Sequence, residues 1–177
     1  VTADRIARLL GAGFGAVYVL VNAGALGSPL DVVLRVAAGL SVVALLTVLP
    51  SGGGADRRGE RPPVFGRGYA LVVLAEVAAV VGGSLALGAL GLPGARFPWL
   101  TFVVGVHFVL LARVWRERSI GWVGGALAVC GALGFGAALA GATPAAVTVL
   151  AGVLPGVLLL GGAWWGVAPR PAVAAAR

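Results

Sequence analysis

Read along the chain, apolar residues gather into six runs, at residues 9–26, 32–49, 69–91, 97–112, 120–142 and 145–167. Each approaches the roughly 20 residues that an α-helix needs to cross about 30 Å of hydrocarbon. Helix breakers and charges stand between them: Ser28-Pro29, Pro50-Ser51-Gly52-Gly53-Gly54, Pro93-Gly94, Arg116-Glu117-Arg118 and Thr143-Pro144. The pattern predicts an all-α, polytopic membrane protein, with six transmembrane helices in one Gly-rich bundle over residues 1–167. A disordered tail, 168–177, is expected to follow. The fourth run is the shortest; it extends to Trp115 if Arg113 snorkels toward the headgroups.

Composition agrees with this picture. Of the 177 residues 60% are hydrophobic and 11% charged, with a mean hydropathy of +1.05. A soluble domain carries about 25% charged residues. The 30 glycines sit inside the apolar runs, so they do not mark a low-complexity linker. A net charge of +7 would point to nucleic acid in a soluble protein. Here the basic residues fall in short loops between apolar runs, where charge sets membrane orientation instead, and no nucleic-acid partner is expected. All 13 basic residues are Arg. Together with the abundance of Ala, Gly, Val and Pro, that is the signature of a GC-rich, bacterial genome.

Eleven arginines (Arg5, Arg8, Arg57, Arg58, Arg61, Arg67, Arg113, Arg116, Arg118, Arg170 and Arg177) fall on one side of a six-span arrangement, and only Arg35 and Arg96 on the other. The positive-inside bias places both termini in the cytoplasm and the protein in the bacterial cytoplasmic (inner) membrane, multi-pass. Trp115, Trp122, Trp164 and Trp165 would gather at the cytoplasmic interface and Trp99 at the outer one. One alternative concerns the first run. Arg5 and Arg8, an apolar stretch and Ala23-Gly24-Ala25 also fit a signal peptide with a cleavage site, but the stretch is longer than the usual core of about 7–15 residues.

No loop is long enough to house an active site, so any chemistry lies within the membrane or at its surface. Glu76 is the most informative residue. It stands about 10 Å inside the third span, where an ionisable group is costly and marks a functional site by default. It either exchanges protons or is a carboxylate paired structurally or snorkelling to the surface. His107 is the sole histidine, within Gly105-Val106-His107-Phe108 of the fourth span. Counted from Arg113 its depth equals that of Glu76, and counted from Pro93-Gly94 the two differ by about one helical turn. Such a pair could relay protons, or merely neutralise two polar groups. Toward the outer side, Asn22, Asp31 and Arg35 fall at similar depth; Asp31 and Arg35 form an (i, i+4) pair that either steadies the helix start or contributes to an outer gate.

Gly11/Gly15, Gly121/Gly125, Gly152/Gly156 and Gly162/Gly166 have the spacing that lets helices approach closely, within the monomer or between copies in a homo-oligomer. Pro155, near the middle of the last span, removes one backbone hydrogen bond and is a candidate hinge. One His and one Cys (Cys130) cannot supply a transition-metal site, so no metal and no cofactor is expected. The familiar hydrolase and metal-binding motifs do not occur, and no catalytic residue is assigned.

Two local resemblances add to this. The stretch from Gly105 through His107-Phe108 to Ala112-Arg113 resembles a segment of uncharacterised small multi-span bacterial membrane proteins, which implies no activity. The stretch from Tyr69 through Leu74-Ala75-Glu76-Val77 to Gly82-Gly83 is similar to the first helix of small multidrug resistance transporters. That resemblance implies a proton-exchanging membrane carboxylate at Glu76. The sequence departs from that family in placing Glu76 in the third of six spans and in having no Trp in the middle of the fifth. Three function classes follow: a small transporter-like protein with a proton-active Glu76, a noncatalytic scaffold or accessory subunit in the lipid bilayer, and an enzyme acting on a lipid or prenyl substrate. No feature of the sequence identifies a small-molecule ligand.

Overall fold

The computed structural model describes residues 3–49 and 66–165, and among these every regular element is helical. The elements are α1 (Ala3–Asn22) with a 3₁₀ turn (Ala23–Leu26), α2 (Leu30–Val48), α3 (Arg67–Ala89), a 3₁₀ turn (Pro93–Ala95), α4 (Arg96–Trp115) and α5 (Arg118–Leu139). The sixth span consists of α6 (Pro144–Thr148), a π turn (Val149–Val153) and α7 (Leu154–Trp164). Six helical stretches are long and apolar enough to cross a membrane: Arg8–Leu26, Leu30–Val48, Arg67–Ala89, Pro93–Trp115, Ile120–Leu139 and Pro144–Trp164. The chain is therefore built as a multi-pass membrane protein. The tail 168–177 and most of the 50–68 loop lie outside the described residues.

Span limits move by a few residues, for local reasons. The third ends at Ala89 rather than residue 91, and the fifth at Leu139 rather than 142. In both, a glycine at positive φ (Gly91 at 70°, Gly141 at 76°) closes the helix. Leu92 N–H returns to Leu87 O and Ala142 N–H to Ala137 O, the six-residue closure that stops a helix at a left-handed glycine. The fourth run is longer than its apolar core, since α4 continues through the exposed Arg113 to Trp115. The sixth ends at Trp164, short of 167.

Two tight helix pairs make the centre. In α4/α5, Gly105 and Gly131 let backbones touch: a Cβ on Gly131 would sit on the Phe102 backbone, and one on Gly105 on that of Ala128. In α1/α7, Gly15 faces Gly156, and a Cβ on Gly15 would lie 2.9 Å from Gly156 O. The Gly11/Gly15 and Gly152/Gly156 spacings thus act within the monomer. Arg8 donates to Ala163 O (3.1 Å) and Trp165 O (2.6 Å), placing a cation on the unpaired carbonyls that end α7. The π turn and α7 also pack on α5, joining the two pairs. α2 and α3 are the edges. α2 lies on α1, with Trp164 donating to Ser41 Oγ at 2.8 Å, and α3 lies along α4.

Candidate functional site

α3 and α4 are antiparallel, and their contacts fix the register. Tyr69 stacks on Trp115, Glu76 meets His107, Trp99 covers Gly83, and the Arg96 guanidinium lies over Gly88. Trp99, expected toward the outer side, turns onto α3. Its indole N–H donates to Ala79 O at 3.0 Å, and the missing Cβ of Gly83 makes the room. Aromatic and polar side chains, rather than touching backbones, hold α3 in place.

Glu76 Oε2 lies 3.1 Å from His107 Nδ1, with the side chains 24% and 11% exposed. Equal depth counted from Arg113 is therefore the correct register. The approach is close but off the hydrogen-bond axis, so the buried Nδ1 has no aligned partner. The His107 ring also meets Phe108 edge-on, with centroids 5.7 Å apart. One carboxyl and one imidazole in contact can hold a proton on either partner while remaining neutral together. Removing that proton leaves a net charge within the span, which low-dielectric surroundings oppose.

The sixth span adds two residues that sequence reasoning missed. Pro155 has no N–H to offer Ala151 O, the carbonyl four residues earlier. The chain adjusts through the π turn, in which Leu154 N–H reaches back to Val149 O. Thr101 Oγ1 of α4 donates to Ala151 O at 2.7 Å and is completely buried. A neighbouring helix has supplied the donor that proline removed. The signal was available in principle: a mid-span proline requires a donor at matching depth, and Thr101 is a hydroxyl within the fourth span. Tyr18 of α1 is the second. Its ring meets Phe97 of α4, with centroids 6.3 Å apart, and its Cβ packs on Gly156 of the sixth span.

The outer-side residues do not assemble. Among the described residues no hydrogen bond or ion pair links Asn22, Asp31 and Arg35 to one another. The Asn22 amide donates to Tyr18 O of its own helix (2.8 Å) and packs on Gly152. Arg35 lies against Gly24, and Asp31 Oδ1 is buried without a hydrogen-bond partner. Among the described residues no group of three or more His, Cys, Asp and Glu side chains could hold a metal ion.

No protein-family model matches the chain, and no curated protein or solved structure matches it. A functional reading therefore rests on the geometry of the site.

Proposed function

We propose that this protein is a small transporter-like protein of the bacterial cytoplasmic membrane, with both termini cytoplasmic, in which Glu76 and His107 hold a proton that ligand binding releases. The observation that carries the reading is the 3.1 Å contact between Glu76 and His107 on α3, the least buried span, with the carboxylate still 24% exposed. A purely structural pair in hydrocarbon is expected to be dry and aligned, because an unaligned buried nitrogen gains little from its partner. The orientation draws on Arg8, Arg67, Arg113, Arg116 and Arg118, which share one end of the bundle. Arg8 reaches the end of α7, and Tyr69 beside Arg67 meets Trp115 beside Arg116.

The test is proton release from purified protein in detergent, on adding each of a panel of lipophilic cations and lipids, beside Glu76→Gln. Release of about one proton per bound ligand, lost in Glu76→Gln, is the expected result. Ligand binding without release would sink the reading. The scaffold reading is weaker, because Gly11, Gly15, Gly152 and Gly156, which could have formed its adhesive face, are occupied inside the bundle, while Gly125 meets nothing within 4 Å. An enzyme on a lipid would need a second acid or cation beside Glu76, and among the described residues only His107 forms an ion-pair contact with it.

A further inference from the structure

Three helices end in a left-handed turn, and they differ in the residue that makes it. α3 and α5 close on Gly91 and Gly141, whereas α4 closes on Arg116 at φ 55°, with Glu117 N–H returning to Ala112 O at 2.9 Å. Glycine takes that conformation freely and a residue with a Cβ does not. A chain with 30 glycines thus carries an arginine where the backbone favours glycine. The register of α3 on α4, set by Tyr69 on Trp115 and Glu76 on His107, brings Arg67 level with Arg116. The two helix ends touch there: a Cβ on Gly68 would lie 3.4 Å from Val114 Cγ1. Arg67, Arg113, Arg116 and Arg118 are all exposed. Among the described residues no hydrogen bond or ion pair takes up their guanidinium groups, whereas Arg8 at the same end turns onto the last carbonyls of α7. The start of α3 and the α4–α5 junction set these four arginines against one acid, Glu117, and the loop leading into α3 adds Arg57, Arg58 and Arg61 against Asp56 and Glu60. Like charges held level on two packed helices repel, and an anion between them removes the repulsion.

We propose that this end of the α3/α4 pair binds the phosphate of an anionic membrane lipid, held by Arg67 and Arg116, with an acyl chain lying along Leu71 and Leu74 of α3. A guanidinium presents a planar fork of donors that matches phosphate oxygens, which a hydrated point charge does not. The depth is right. Tyr69 and Trp115 stack with ring centroids 6.2 Å apart, and such rings sit at headgroup level, so the arginines beside them stand at the level of the phosphates. The face is right as well. Leu71 and Leu74 follow Arg67 at helical spacing and are 67% and 66% exposed, so an apolar track leads from the cation into the hydrocarbon. A free phosphate would engage the arginines and leave that track unused; a lipid uses both. The bound lipid would bridge the ends of α3 and α4, adding a tie to the least buried span. The site draws on neither the charge nor the role of Glu76.

The test titrates full-length protein, stripped of copurifying lipid in detergent, with phosphatidylglycerol, phosphatidylcholine and inorganic phosphate, and counts bound lipid by native mass spectrometry. Wild type should prefer phosphatidylglycerol about twentyfold, since each arginine near an anionic headgroup is worth about fivefold. Arg67→Gln and Arg116→Gly should each lower that preference about fivefold, and Arg35→Gln, at the opposite end, should leave it unchanged. Arg116→Gly suits the left-handed turn, so its unfolding temperature in phosphatidylcholine nanodiscs should hold or rise while lipid binding weakens. A fall instead would make Arg116 a structural cap rather than a lipid ligand. Equal affinity of wild type for the two lipids, or a preference that persists in both variants, would overturn the proposal. Displacement of the lipid by millimolar inorganic phosphate would mark a free-anion site and refute the choice of a lipid.

Discussion

The third and sixth spans are similar in length and hydropathy, yet 6% of one and 44% of the other is buried within the bundle. The sixth is gripped on two sides, by α1 through Gly15 and Gly156 and by α5 through Gly134, where a Cβ would lie 2.8 Å from that of Ala151. The third touches α4 through side chains and presents Leu71, Leu74, Val77, Val81 and Leu85 outward. In water such a face would be an aggregation hazard; in lipid tails it costs nothing, because hydrocarbon is as apolar as leucine. The difference separates two tasks. Glycine seams fix the frame, while the span bearing Glu76 is held by a few specific contacts that can exchange without dismantling it.

The sharpest way to break this contrast is to thicken a seam. Gly131→Val would drive a branched side chain into the Phe102 backbone, an element that cannot rotate away. Overpacking of this kind costs about 1–3 kcal/mol even where side chains can shift, and a backbone clash lies at or beyond the upper end. The expected outcome is loss of monodisperse protein or a large fall in thermal unfolding temperature. The same change at Gly82, whose Cβ would meet nothing within 4 Å, should leave folding nearly unchanged. Equal damage at both positions would mean that helix propensity, rather than the seam, governs stability.

A smaller effect sharpens the account of the sixth span. Thr101→Val keeps the shape of a completely buried residue but strips Ala151 O of its donor, at a cost of about 1–2 kcal/mol. Pro155→Ala restores an N–H four residues beyond that carbonyl. In the Pro155→Ala background Thr101→Val should therefore cost less, and unfolding of the four proteins in denaturant should show a coupling of about 1 kcal/mol. Strict additivity would show that Thr101 serves Ala151 for reasons unrelated to the proline.

How far the sequence discloses these features depends on the physics behind each. The six spans were readable because length and hydropathy alone decide insertion; their ends shifted where Gly91 and Gly141 closed a helix that apolar residues would have continued. The contact of Glu76 with His107 was readable as equal depth, since two antiparallel helices joined by a tight turn leave little freedom in register. The partner of Trp99 was not readable: its indole donates to Ala79 O, and only the missing Cβ of Gly83, invisible until the helices meet, opens that position. Similar depth was expected of Asn22, Asp31 and Arg35, but depth does not give azimuth: Asn22 turns to Tyr18 O and Gly152, and Arg35 lies against Gly24. Thr101 was missed for the same reason: Pro155 calls for a donor at its depth, but which hydroxyl turns toward Ala151 O is known only once the helices are packed.

The smallest expected effect bears on the loosely held span itself. If α3 is retained by discrete contacts, removing the carboxylate charge should barely alter stability: Glu76→Gln preserves size and polarity, and polar contacts between membrane helices average about 0.6 kcal/mol. Leu74→Ala, on the outward face at 66% exposure, should cost still less, since lipid replaces the lost contacts. Trp99→Phe removes the donor to Ala79 O and should exceed both, at about 1 kcal/mol. Thermal unfolding in lipid nanodiscs ranks the three. Should Glu76→Gln prove the most destabilising, the pair would be a structural clasp, and the division between a fixed frame and an exchangeable third span would fail at its central residue.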